Sequence, residues 1–120
     1  PRGTNLEFSL MLVGWGAGTG EPSSPLGALL HTYDKEAGYG GTNRGRFSNK
    51  EMDAALEEAM RSVDREKHKA LLIKATEIAM REVGIIPLNY QVNMWAMRKD
   101  LSYTARTDGN TLAVDVHKVK

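Results

Sequence analysis

The chain has 120 residues, 41% of them apolar and 26% charged, which is the size and composition of one globular domain and excludes a disordered tail. A formal charge of +1 provides no strong field toward nucleic acid or a membrane surface, and the absence of cysteine excludes thiol and disulfide chemistry. No apolar run reaches the roughly 18 residues that a spanning helix needs. The first residue is proline rather than methionine, so a piece of a longer or processed protein is expected, and the lack of a signal peptide then says nothing of where the parent lives.

Residues 6–22, LEFSLMLVGWGAGTGEP, run from an apolar stretch into a glycine-rich turn. Leu6, Phe8, Leu10 and Leu12 share one side of an extended chain, with Met11 and Val13 on the other. This pattern predicts a strand over 6–13 covered on both faces, as in a mixed or parallel sheet. Gly14, Gly16, Gly18 and Gly20 then remove the Cβ at every second position and leave Trp15 as the one large side chain among them. Such a segment suits a ligand that lays its own backbone against the chain. It equally suits a plain strand end with a loop and a half-buried tryptophan.

Pro22, Ser23, Ser24 and Pro25 form a helix-start cluster with a serine available as N-cap. Leu26, Leu29 and Leu30 mark the buried side of a short helix that ends before Gly38. Residues 38–47 are a glycine-rich loop in which Arg44 and Arg46 are the only cations. Two exposed arginines can hold a carboxylate or phosphate, or merely keep the loop soluble. Ser48 and Glu51 then make an S-x-x-E capping box, followed by Met52, Leu56, Ala59, Met60 and Val63 at helical spacing, with Glu57 and Arg61 paired on the outer face. Asp64 caps a second helix over 65–82, with Leu71, Leu72, Ala75, Ile78 and Ala79 inward, Glu77 paired to Arg81, and Gly84 and Pro87 as stops. The short link predicts a helix hairpin packed on a common sheet.

Ile86, Leu88, Tyr90, Val92, Met94 and Ala96 alternate with Pro87, Asn89, Gln91, Asn93, Trp95 and Met97, which predicts a long strand or two strands with a bend. Beyond Arg98 the chain turns polar, Asp108-Gly109 is a turn signal, and Leu112, Val114 and Val116 predict a short final strand. His31, His68 and His117 lie far apart without a companion at metal-ligand spacing, so no metal and no cofactor is expected. The glycines lack the G-x-G-x-x-G spacing of a dinucleotide site, and no nucleophile and base stand at a recognisable spacing, so no enzyme is expected.

The ordered set of these features resembles the C-terminal part of the family 5 solute-binding proteins of ABC importers, the oligopeptide, dipeptide, glutathione and nickel binders. It comprises the strand into Gly14-Trp15, Glu21-Pro22 before a short helix, Phe47-Ser48-Asn49 with Asp53 in the next helix, Ser62-Val63-Asp64-Arg65, and Ile85-Ile86-Pro87-Leu88. What the resemblance implies is an α/β, or α+β, piece of the second lobe of a two-lobed periplasmic-binding-protein clamshell, a mixed sheet with a helix hairpin. Residues 1–92 would belong to that lobe and 93–120 to a hinge and return segment toward the first. It also implies a substrate-binding component of an ABC transporter that captures a peptide or similar small solute at Gly14, Trp15, Gly16 and Gly18. Its partners would be that ligand and the importer's permease. Its place would be periplasmic or extracellular, lipid-anchored in Gram-positive-type cells. Where oligopeptide binders carry an aspartate that holds the peptide's amino terminus, this chain has Gly18. Bare strand edges lead to the further expectation that the chain self-associates. The alternative from another class is an independent α+β protein-interaction domain without catalysis.

Overall fold

A computed structural model describes residue 3 and residues 5–119. The chain is a small α+β structure in two compact units, Pro1–Leu88 and Asn89–Lys120. In the first, helix α1 (Ser23–Pro25) runs straight into a π-helical turn, Leu26–Leu30. The turn widens because the carbonyls of Gly27 and Ala28 are taken by the following loop, from Gly40 N–H at 2.8 Å and Thr42 N–H at 3.1 Å, while His31 N–H reaches back to Leu26. Gly40 permits this crossing. Its φ is +67°, and a Cβ there would stand 2.5 Å from the His31 carbonyl oxygen.

Helices α2 (Lys50–Arg61) and α3 (Arg65–Arg81) form the expected hairpin, but it packs on the Leu26–Leu30 turn rather than on the expected sheet. The cap of α2 is Asn49 rather than Ser48. The Asn49 side chain accepts from the amides of Glu51 and Met52, both at 3.0 Å, and the Ser48 hydroxyl instead bonds the Thr32 hydroxyl at 2.8 Å. Asp64 caps α3 as expected, accepting from Lys67 N–H at 2.8 Å. Across the hairpin Lys67 meets Glu58 at 2.7 Å and Lys74 meets Glu51 at 3.0 Å, while Glu57 and Arg61 pair along α2 at 2.6 Å. Arg81 turns to Glu82 and not to Glu77.

Leu26, Leu29 and Leu30 meet Met52, Ala55, Leu56 and Ala59 of α2 and Leu72, Ala75, Ile78 and Ala79 of α3 in one core, with Phe47, Leu71 and Ile85 at its margin. Met60 and Val63, expected inside, are exposed. Met60 lies one position off the buried stripe, and Val63 follows the end of α2 in the extended link. At the end of α3 the amide of Gly84 bonds the Ala79 carbonyl and that of Val83 the Met80 carbonyl, a Schellman closure. The left-handed position, φ +52°, falls on Val83, while Gly84 makes room for the Phe47 ring, whose Cδ2 would lie 2.9 Å from a Cβ at that position.

The second unit holds a two-stranded antiparallel sheet, β1 (Leu101–Tyr103) with β2 (Val116–Lys118), in the register Leu101↔Lys118, Ser102↔His117 and Tyr103↔Val116. A 3₁₀ turn over Ala113–Asp115 precedes β2, so the final strand begins at Val116 and not at Leu112. The Asp108-Gly109 turn forms as expected, with Gly109 at φ +73° and its amide on the Arg106 carbonyl. Arg106 grips Asp108 through both Nε and Nη2 and holds that carboxyl well below its ordinary range. The Trp95 indole donates to the Thr111 hydroxyl at 2.9 Å and lies 5.5 Å from the Tyr103 ring.

Two expected strands are not formed. Among the described residues, no backbone hydrogen bond joins residues 7–16 or 86–97 to another segment. Both stretches lack assigned strand, and most of their apolar side chains are exposed. A strand requires a ladder partner, and the described residues supply none for either stretch; in the first, Leu6 also sits in a turn at φ +59° and Ser9 in a bend.

Candidate functional site

The glycine segment is built outward from the start of α1. Neither Ser23 nor Ser24 caps that helix. Ser23 donates to Glu21 at 2.6 Å, and the Ser24 hydroxyl accepts the Trp15 indole N–H at 3.2 Å. Glu21, at the far end of the turn, also reaches α3, where its second carboxylate oxygen lies 3.2 Å from His68 Nε2. The turn between is closed by Gly20 N–H on the Ala17 carbonyl at 2.9 Å, with Gly20 at φ +72°. Trp15 and Glu21 therefore tie the two ends of the glycine segment to the helical unit.

Gly14, just before the first tie, and Gly16 and Gly18 between the two are exposed, and apart from adjacent residues no described heavy atom lies within 4 Å of a Cβ placed on Gly16 or Gly18. At Gly16 and Gly18 the missing side chains thus serve no close approach among the described residues. Exposure alternates along the approach to the turn. Leu10 and Leu12 are 88% and 82% exposed, whereas Met11, Val13 and Trp15 are 39%, 39% and 42% exposed. Met11, Val13 and Trp15 are partly covered while Leu10 and Leu12 stand in solvent, and among the described residues the backbone of 7–16 makes no backbone hydrogen bond. The structure places Gly14, Trp15 and Gly16 on the stretch without backbone partners among the described residues and Gly18 inside the turn that follows it.

Behind the turn a groove of about 800 Å³ opens between Gly20, Glu21 and Pro22 and the face of α3 that carries His68, Leu72 and Ile73. His68 stands at its wall. Its Nδ1 is 2.8 Å from the Ala59 carbonyl, at the end of α2, and its Nε2 faces Glu21. The Ala59 bond first, and the Glu21 bond second, raise the His68 pKa above its ordinary value; Ser23 first, and His68 second, lower that of Glu21.

A buried polar cluster was not legible in the sequence as a unit. Asp53, on the inner side of α2, accepts the Thr32 amide at 3.1 Å and the Thr32 hydroxyl. His31 is buried with Nδ1 2.7 Å from the Thr32 carbonyl and Nε2 3.3 Å from Glu57, and its ring stacks on Tyr39 at 4.1 Å. Asn43 closes the loop by donating to the carbonyls of His31 and Phe47 and accepting the Phe47 amide. A carboxylate three residues before Leu56, on the apolar side of an amphipathic helix, was the available signal of a buried partner. The cluster fixes the loop over 31–48 onto α2. Among the described residues, no group of three or more His, Cys, Asp or Glu is arranged to hold a metal ion, and no helix is long and apolar enough to cross a membrane. The two arginines of this loop, Arg44 and Arg46, make no ion pair among the described residues.

No protein-family model matches the chain, and no solved structure matches it. Over 86 residues, 72% of this chain, it is 30% identical to Heme-binding protein A of Haemophilus influenzae, and the chain spans 15% of that protein's length.

Proposed function

We propose that the chain is the C-terminal part of a family 5 solute-binding protein of an ABC importer, and that Gly14, Trp15, Gly16 and Gly18 form one edge of its ligand cleft. The observation that carries this reading is the segment over 7–16, whose backbone groups have no backbone partner among the described residues, ending at an indole tethered to Ser24. Main-chain pairing of this kind takes affinity from backbone bonds and leaves side-chain choice loose. The ordered sequence resemblance and the 30% identity to Heme-binding protein A support it. On this reading residues 1–92 belong to the second lobe and 93–120 return toward the first. The permease of the importer is the partner, and the protein works in the periplasm or outside the cell.

The ligand is a peptide or similar small solute, and the name of the relative adds heme as a cargo to be tested beside it. Native mass spectrometry of the intact receptor, purified without added ligand and then incubated with di- and tripeptides or heme, tests the assignment. A bound solute lost on removal of Trp15 and the glycine edge supports it. A parent protein with no second lobe and no secretion signal would sink it and favour the α+β interaction domain, whose helix hairpin is complete here.

A further inference from the structure

The histidine at position 68 bonds two acceptors at once. Its Nδ1 faces the Ala59 carbonyl at 2.8 Å and its Nε2 faces the Glu21 carboxylate at 3.2 Å. A backbone carbonyl and an ionised carboxylate only accept, so both contacts are hydrogen bonds only when both ring nitrogens carry hydrogen, which is the imidazolium. A neutral ring keeps one N–H and turns a lone pair toward the other acceptor. The Ala59 carbonyl closes the end of α2, where it also accepts Ser62 N–H at 3.0 Å, and the ring is held there by its own helix. Glu21 lies on the loop side, outside any helix, at the end of the glycine turn. Neutralisation therefore breaks the Glu21 contact first.

We propose that His68 is a proton-operated latch on the glycine turn. As imidazolium it holds Glu21, and with it one end of residues 14–20, against the helix hairpin; as the neutral ring it releases that end. Glu21 is the carboxylate within ion-pair reach of the ring among the described residues. Of the nearby charges, Lys67 is engaged by Glu58 on α2, Asp64 caps its own helix through the Lys67 amide, and Arg65, Glu66 and Lys69 line the same groove from α3. The raised His68 pKa and the lowered Glu21 pKa agree with the geometry. The signs follow by linkage. The His68 contribution is complete below its ordinary value of 6.5 and is lost as pH rises through the raised value. The Glu21 contribution is complete above its ordinary value of 4.5 and is lost as pH falls through the lowered one. The latch is thus fully closed between those two ordinary values; it opens on the alkaline side as His68 loses its proton, and on the acid side as Glu21 gains one. As regulation of the ligand edge the latch rests on the cleft reading above, but its operation does not require a ligand.

Ligand-free ¹H–¹⁵N spectra of the full chain across neutral pH test it, following the His68 ring, the Trp15 indole and the Gly18 and Gly20 amides. The latch requires His68 to titrate above its ordinary value and the turn signals to follow with the same midpoint. In Glu21→Gln the His68 midpoint falls and the turn signals lose that transition while helix signals stay in place. His68→Gln removes the transition as well, and because Glu21 is on the surface the first variant remains informative if the second fails to fold. Turn signals that stay constant while His68 titrates, or that titrate unchanged in Glu21→Gln, overturn the latch. Either outcome leaves the ligand assignment to its own experiment.

Discussion

Replacing Trp15 by alanine separates a cleft residue from a core residue. The indole is 42% exposed and makes one hydrogen bond, to the exposed Ser24 hydroxyl. Such a bond contributes about 0.5–1.5 kcal/mol. Half-burial of the ring adds roughly half of the ~1.5–3 kcal/mol that a fully buried large apolar side chain contributes. Trp15→Ala should therefore cost about 2 kcal/mol of folding stability, against the ~3–5 kcal/mol of a Trp→Ala change in a packed core. Urea unfolding followed by helix circular dichroism reads the stability. The same substitution in the intact receptor should cost at least about 2 kcal/mol of ligand affinity, near thirtyfold, as for an interface anchor. A stability loss of about 4 kcal/mol with unchanged affinity would show that Trp15 is core and that the site lies elsewhere.

The end of α3 supplies a paired test by urea unfolding. Val83→Gly relieves a β-branched residue held at φ +52° and should stabilise by up to about 1 kcal/mol after the entropy cost of glycine, whereas Gly84→Ala drives a Cβ into the Phe47 ring and should destabilise by about 1–3 kcal/mol. Equal effects of the two would refute the closure described. In the intact receptor Gly18→Asp should favour ligands with a free ammonium over their N-acetylated analogues by about 1.5–3 kcal/mol, the worth of a charged hydrogen bond; no preference would place this turn out of register with the ammonium site. The open edge over 7–16 and the exposed apolar side chains of Leu10 and Leu12 should drive the chain to associate at micromolar concentration. Sedimentation showing a stable monomer would count against that edge as a pairing surface.

Local chemistry was legible in the residues. The helix hairpin, the Asp64 cap, the Glu57–Arg61 pair and the Leu26, Leu29 and Leu30 face follow from spacing within a few residues, and the structure has them. Choices between adjacent candidates were harder. Ser48 and Asn49 are both good caps, and what separates them is Thr32, sixteen residues upstream, which engages Ser48. The strands expected over 6–13 and 86–96 are not formed, because a strand needs a ladder partner that is non-local and no residue within either stretch encodes what lies alongside. The Glu21–His68 contact spans 47 positions, and neither residue carries a local signal of the other. The glycine segment was readable as unusual, and its two anchors, Ser24 and His68, were readable only from the fold.

Hydrogen exchange in the intact receptor, read by mass spectrometry on peptides covering residues 7–18 with and without a bound solute, tests the ligand edge most directly. Backbone pairing with the ligand predicts that amides in this segment, open in the free chain, gain protection when the ligand binds, while the α2–α3 hairpin changes little. Saturating ligand that leaves exchange over residues 7–18 unaltered would contradict it.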